Sequence, residues 1–496
     1  MHNASNITIR PAAIVIELSF TADELLRALL RLAPSRRAQI LDSGGVRGAG
    51  DEARFLIAGF DPFETIEARG RELLIQKRDE TSARVERGAL LSLLDERLAR
   101  YRLPQKAQQE AEASQLPVAG GACIASFAYD LARQFERLRS RPPATYDTLE
   151  PDAVLAFYDT LVVHDYARGS THLTSIAGEK HLGRARAALD EARQAGGSDE
   201  DEQDDSCVES RTTTAASNFT RAEYAAAVGR IRQHIYAGDI YQANLTQQFN
   251  CPLRAGDSAE RVFLRLRREH PASFAAFLRR REDTVVSASP ERFLRVSRDE
   301  GAGALRVAAW PIKGTRGRGG TAAEDERLKE ELRRSAKDAA ENVMIVDLLR
   351  NDLGRVCRYG TVEVNALCEL QEHPTLFHLV SKVSGLLRAE VSAGELLRAT
   401  FPCGSITGAP KLRAMEIIDA CERAPRGLSM GAIGYFSFDG RADLSVAIRT
   451  MTLRSDGRAR FNVGGGVVAE SDPEAEYEES LVKARALLSA LGARAV

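Results

Sequence analysis

From Gly196 to Asn218 the chain reads GGSDEDEQDDSCVESRTTTAASN, and a stretch this dense in charge and small polar side chains cannot bury a core. It splits the 496 residues into two structured regions, 1–190 and 219–496, joined by an acidic and polar linker over 191–218. The first region carries short apolar runs, Arg54 to Phe60 and Val154 to Val163, between segments rich in Leu, Arg and Ala, which predicts mixed α and β structure. The 68 basic and 70 acidic residues nearly cancel, so nothing in a net charge of −2 favours nucleic acid or an anionic membrane. Seven cysteines are scattered, odd in number and without CxxC spacing, which argues against a disulfide framework or structural zinc and fits a reducing cytoplasm. The apolar run Ala12 to Ile16 is too short for a bilayer, and none elsewhere reaches the ~18 residues of a spanning helix. No export signal and no membrane segment is expected.

The second region opens on Thr220 and Glu223, whose spacing is that of a capping box, and predicts a helix to about Tyr236. A turn at Gly238-Asp239 leads into an alternating strand, Ile240 to Phe249, and the arginines of Arg261 to His270 alternate with apolar residues as in an amphipathic helix. Val285 to Val296 and Leu305 to Ile312 read as strands, Glu324 to Leu349 as one long helix, and Thr361 to Leu367 and His378 to Leu386 as strands. A helix over Lys411 to Cys421, strands at Gly431 to Phe438, Leu444 to Leu453 and Arg460 to Val468, and a last helix from Pro473 to Leu491 complete the pattern.

Several stretches carry chemistry. Lys313, in Pro311-Ile312-Lys313-Gly314-Thr315, is either the charge of a surface turn or, if partly desolvated on this rigid frame, a nucleophile. Glu341 lies among apolar neighbours in AENVMIVDLLRND, where a carboxylate needs a cation or metal. Glu476, Glu479 and Lys483 form either a solvated ladder on one helical face or, with Glu341, a set of carboxylates suited to Mg²⁺. GSITGAPK (Gly404 to Lys411) is a glycine-punctuated turn before a helix, able to present N–H groups to an anion, and it is not a Walker A loop. GGGVV (Gly464 to Val468) permits close approach of a ligand to backbone, or marks a bulge. Arg449 can pair with a substrate carboxylate or salt-bridge internally.

Together with GDIYQANLTQ (Gly238 to Gln247), SASPERF (Ser287 to Phe293) and AIRT around Arg449, these stretches resemble the chorismate-utilising enzymes: anthranilate synthase component I, isochorismate and salicylate synthases, and aminodeoxychorismate synthase component I. The resemblance spans most of the chain, with a looser match at LPVAGGACIASFAYD (Leu116 to Asp130). It implies an α+β fold built as a large two-sheet antiparallel sandwich flanked by helices. Members that add water to chorismate carry a lysine where this chain has Gln242, and a neutral amide cannot take a proton from water. Those that aminate C2 generally have alanine at the position of Lys313, whereas those that aminate C4 have PIKGT.

The resemblance thus implies amination of chorismate at C4 on the route to 4-aminobenzoate and folate, with Lys313 as covalent nucleophile and Glu291 as general acid. Glu341 and Glu479 would ligate Mg²⁺ directly and Glu476 through water. Gln242, Thr315, His378, Thr407, Tyr435, Arg449, Gly465 and Lys483 would contact substrate, and Ser43, in Leu41-Asp42-Ser43, would mark a tryptophan site. No cysteine has the surroundings of a glutaminase nucleophile, so ammonia is expected from a separate glutamine amidotransferase subunit. Members carry Thr-Arg where this chain has Ala309-Trp310, so packing there is expected to differ. The alternatives are anthranilate synthesis and, in another class, a non-catalytic tryptophan-binding relative, which the intact set Glu291, Lys313, Glu341 and Glu479 argues against.

Overall fold

Strand alternation is answered by two large sheets, one of 13 strands and one of 12. The computed structural model describes residues 13–46, 53–139, 150–195, 213–299, 301, 303–372 and 376–495, so most of the expected linker lies outside the described residues. Its last part does not: Thr213–Ser217 is a strand, paired with Gln242–Pro252 and, in parallel, with Ala493–Ala495. The other ladders among the described residues are antiparallel, as expected. The two sequence regions are interleaved. Gln39–Asp42 pairs with Phe274–Arg279 in the first sheet, and Ala122–Phe127 pairs with Ala432–Ser437 in the second.

The largest apolar cluster takes Leu278 and Val285 from the first sheet and Leu294, Val307 and Ile433 from the second, so it is the sandwich interior. Phe277 and Val286, one residue away, point to the other face of the first sheet as the period of two requires. There they meet helices Ala22–Arg31, Glu179–Gln194, Ala259–Glu269 and Pro473–Leu491. Thr220 and Glu223 form both halves of their capping box, and Lys411–Cys421 and Pro473–Leu491 are helices at the expected bounds.

Two expected strands are each broken in a way that builds the site. Val285 to Val296 is Asp283–Ser289 in the first sheet and Arg292–Asp299 in the second, interrupted at Pro290, which has no N–H to give a ladder. Leu444 to Leu453 divides likewise into Ala442–Val446 and Thr450–Arg454, with Arg449 at φ +48° in the break. The crossings are bonded to each other: Val446 N–H donates to the Glu291 carbonyl and Ala288 N–H to the Arg449 carbonyl, at 3.0 Å each. The chain steps between sheets at adjacent points, and Glu291 and Arg449 stand there.

Two further boundaries differ. Lys313 does not end the strand Ala304–Ala309 but lies in the next one, Ile312–Gly317, beyond Trp310-Pro311. The expected long helix is two, Ala322–Arg334 and Ala336–Gly354, because the Ser335 side chain accepts from Asp338 N–H and starts the second as its cap. Among the described residues no helix is long and apolar enough to cross a membrane, and the six described cysteines are free.

Candidate active site

Ile312 pairs with Val380 and Thr315 with His378, which leaves Lys313 and Gly314 as a bulge without ladder partners. Gly314 has φ +85°, and a Cβ there would lie 3.0 Å from Asp338 Cβ and 3.0 Å from a Leu332 methyl, so glycine is what lets the bulge rest on the helices. The bulge turns Lys313 inward. Its Nζ donates to the Ser405 carbonyl at 3.2 Å and lies 3.9 Å from Glu341 Oε2, with the two side chains only 13% and 15% exposed. A solvated surface turn is thereby excluded.

Glu291 is 5% exposed, and its Oε1 has no hydrogen-bond partner. Burial pushes its carboxyl up to about 7, against the opposing pull of the Ser405 hydroxyl, the Lys313 charge and the Ile312 N–H. Gln242 is fully buried, and neither its amide oxygen nor its nitrogen has a partner. Unpaired buried polar atoms cost about 1–3 kcal/mol each, so these two residues present hydrogen-bonding capacity that a polar ligand would satisfy.

The glycine triplet supplies the floor. A Cβ on Gly464 would meet the Leu245 carbonyl oxygen at 1.8 Å and one on Gly466 the Gln242 Nε2 at 2.0 Å, whereas one on Gly465 would point at Glu476 Oε2 (3.1 Å), Glu479 Oε1 (3.4 Å) and Lys483 Nζ (3.5 Å). Strand alternation thus aims the middle glycine at the acids and Lys483, and its neighbours at the Leu245 carbonyl and the Gln242 amide. Lys483 Nζ bonds Glu479 Oε1 at 2.7 Å and the Gly464 carbonyl at 3.0 Å, and the Ser471 hydroxyl donates to Glu476 Oε1 at 2.7 Å.

The Glu479 charge acts on both of the other carboxylates. Burial, with the Glu479 charge adding, raises the pKa of both Glu341 and Glu476; at Glu479 burial acts the same way, but Lys483, Lys337 and Lys313 together hold the carboxyl low. Glu476 is held by Ser471 and Glu479 by Lys483, Glu341 lies 3.9 Å from Lys313 Nζ, and among the described residues no three His, Cys, Asp or Glu side chains close into a ready-made metal cage. An open array of acids is what Mg²⁺ accepts, since it keeps several waters and shares its shell with substrate oxygens. The residues present fit such an ion.

The Arg449 guanidinium is half-buried and has no ion-pair partner among the described residues; desolvation lowers its pKa. It is not the internal salt bridge that its sequence also allowed. Thr315 Oγ1 and His378 Nδ1 are 2.8 Å apart, so these two residues fix each other beside the bulge. Thr407 is fully buried and spends its hydroxyl on the Cys403 carbonyl at 3.1 Å. Gly408-Ala409 pairs with Gln242-Ala243, tying the GSITGAPK turn to the strand that carries Gln242.

Tyr435 is the exception. It lies in the second sheet and, with Ser43, Arg292, Asp443 and Phe274, lines a separate cavity of about 190 Å³ that none of Lys313, Glu341, Gly465 or Lys483 touches. Its side chain faces this cavity, apart from the lysine and the acids. Ser43 lies in that cavity, with its hydroxyl buried and unpartnered.

Three contributors had no individual role in the sequence, two of them inside the GSITGAPK stretch. Ser405 accepts from Lys313 and bonds Glu291, joining the two reactive side chains. Lys337 places positive charge near all three acids, and its four-residue spacing before Glu341 was the available signal. Lys411 is drawn inward to Asp352 at 2.6 Å and the Thr400 carbonyl at 2.8 Å, beneath the turn that carries Ser405; no local spacing links residues so far apart.

A two-sheet sandwich with basic, acidic and glycine elements gathered where strands step between sheets defines the class: the chain belongs to the chorismate binding enzyme family, which it matches over residues 48–489. It is 36% identical over 98% of its length to aminodeoxychorismate synthase component 1 of Escherichia coli (strain K12), covering 99% of that protein. It is 34% identical to anthranilate synthase component 1 of Geobacillus stearothermophilus, over 88% of this chain and 86% of that one. Among solved structures, anthranilate synthase component I from Streptococcus pneumoniae TIGR4 superposes with a TM-score of 0.73 at 28% identity, over 88% of this chain and 92% of that one. The menaquinone-specific isochorismate synthase of Escherichia coli, at 17% identity and a TM-score of 0.62 over 97% and 95% of the two chains, shares the fold.

Proposed function

We propose that this chorismate-binding enzyme is the synthase component that aminates chorismate at C4, giving 4-amino-4-deoxychorismate for 4-aminobenzoate and folate synthesis in the cytoplasm. The observation that carries the reading is Lys313, held in a bulge with Nζ 3.2 Å from the Ser405 carbonyl, while Ser405 also bonds the buried Glu291. A nucleophile and a protonated acid thus share one support.

Neutral Lys313 bonds to C2, both ring double bonds shift (C1=C2 to C1=C6 and C5=C6 to C4=C5), and the C4–O bond breaks as the hydroxyl takes the Glu291 proton and leaves as water. Ammonia then bonds to C4, both double bonds shift back, and the C2–N bond breaks, returning Lys313 as a neutral amine. The Glu291 carboxylate recovers a proton from the new C4 ammonium group, so protons balance. Gln242 offers no base to activate water, which disfavours hydration. Arg449 and Lys483 would hold the substrate carboxylates, with the backbone at Gly465 allowing close approach and Thr315, His378 and Thr407 bounding the ring. Glu341, Glu479 and, through water, Glu476 would hold Mg²⁺, whose charge would neutralise and orient the ring carboxylate.

Ammonia would come from a partner glutamine amidotransferase subunit, and the Ser43 cavity would take an amino acid such as tryptophan. Incubation of the chain with chorismate, Mg²⁺ and ammonium, followed by a pyruvate-eliminating lyase, tests the reading: 4-aminobenzoate is expected, and accumulation of anthranilate would overturn it.

A further inference from the structure

Trp310, the one tryptophan in the chain, stands between the strand Ala304–Ala309 and the strand that carries Lys313. Two cations sit over its ring: Arg292 Cζ is 4.6 Å and Lys382 Nζ 4.9 Å from the centroid. They come from strands on opposite sides of Ala304–Ala309 in the sheet, Arg292–Asp299 and Leu376–Leu386. Arg292 immediately follows Glu291 and is itself fixed, forked on Asp443 (2.9 and 3.1 Å) and 4.9 Å from the Phe274 centroid. Lys382 makes no ion pair among the described residues. Its neighbour Ser381 donates its N–H to the Pro311 carbonyl at 3.1 Å, and its strand pairs with Ile312 and Thr315 on either side of the Lys313 bulge.

We propose that Trp310 is a positioning residue that binds the segment carrying Glu291 to the strand flanking Lys313, and so sets the register of acid and nucleophile. The indole face attracts both cations, and few other side chains offer a planar surface of that size to an arginine and a lysine at once. Lys313 and Gly314 have no ladder bonds of their own, so the bulge takes its position from what anchors its two ends. At one end that anchor is Trp310-Pro311; at the other it is the Thr315–His378 bond. The inference rests on C4 amination as the reaction, in which a misplacement near 1 Å costs on the order of 100-fold.

The test compares the unmodified chain with Trp310→Phe and Trp310→Ala in the chorismate, Mg²⁺ and ammonium assay, measuring 4-aminobenzoate after lyase, anthranilate, and the thermal midpoint. Trp310→Ala should lower 4-aminobenzoate at least about tenfold. It should also raise the share of C2-aminated product, because ammonia then bonds C2 itself as the C4 hydroxyl leaves as water. Trp310→Phe, which keeps an aromatic face, should restore most of the original ratio. Loss of activity in proportion to loss of folded protein, with the product ratio unchanged in Trp310→Ala, would overturn the positioning role while leaving C4 amination standing. If the unmodified chain yields no 4-amino product, C4 amination falls and this inference with it.

Discussion

Lys313 Nζ lies 3.9 Å from Glu341 Oε2, outside hydrogen-bond reach, while its hydrogen bond goes to the Ser405 carbonyl at 3.2 Å. The lysine is held by a neutral acceptor, which leaves the Glu341 carboxylate with capacity for a cation. Glu341→Gln should therefore weaken Mg²⁺ binding about 10- to 100-fold while the fold is kept, read by isothermal titration with and without chorismate. Unchanged Mg²⁺ affinity would remove Glu341 from the ligand set.

Glu291 gives the pH dependence. As an acid with a pKa of about 7 it must be protonated to release the hydroxyl, so the rate should fall as pH rises through that value, and Glu291→Gln should abolish turnover. Stability has the same sign: a carboxyl raised from 4.5 in the unfolded chain to about 7 in the folded one contributes stability fully present below 4.5 and lost as pH rises through 7. Glu291→Gln should thus gain on the order of 3 kcal/mol over the parent between pH 5 and 8, measured by urea denaturation at both values. A stability difference independent of pH would contradict the raised carboxyl.

Two glycines of the triplet should part company. Gly465→Ala adds a methyl group 3.1–3.5 Å from Glu476, Glu479 and Lys483, so the protein should fold and lose chorismate affinity, seen as a raised KM. Gly464→Ala places Cβ 1.8 Å from the Leu245 carbonyl and should destabilise by roughly 2 kcal/mol or more, seen in the thermal midpoint. Equal effects at both positions would refute the alternation argument.

Much of this site was legible because its parts are local. The capping box at Thr220, the helix bounds at Lys411–Cys421 and Pro473–Leu491, and the acid spacing of Glu476 and Glu479 need no knowledge of distant residues. What escaped reading is non-local. Pro290 marks a break in an apolar run, but the next stretch joins the other sheet only because Ala442–Val446 waits there to pair with it. Tyr435 sits in an expected strand and lines the other cavity, since a strand shows alternate residues to opposite sides and the sequence does not say which side holds substrate. Ser335 looked like one polar residue inside a helix and proved to be its boundary.

The Ser43 cavity should be separable from catalysis. Saturating tryptophan should raise the thermal midpoint, by about 2.7 kcal/mol of stability at 100 times its Kd, and Ser43→Tyr, which fills the cavity, should abolish that shift. A shift that survives in Ser43→Tyr would place the ligand elsewhere.

The covalent role of Lys313 is the centre of the account, and intact-protein mass tests it without ammonia or partner. Mixed with chorismate and Mg²⁺, the chain should gain the mass of chorismate less one water, and Lys313→Ala should gain nothing. An unmodified parent chain, or the same adduct in Lys313→Ala, would contradict it.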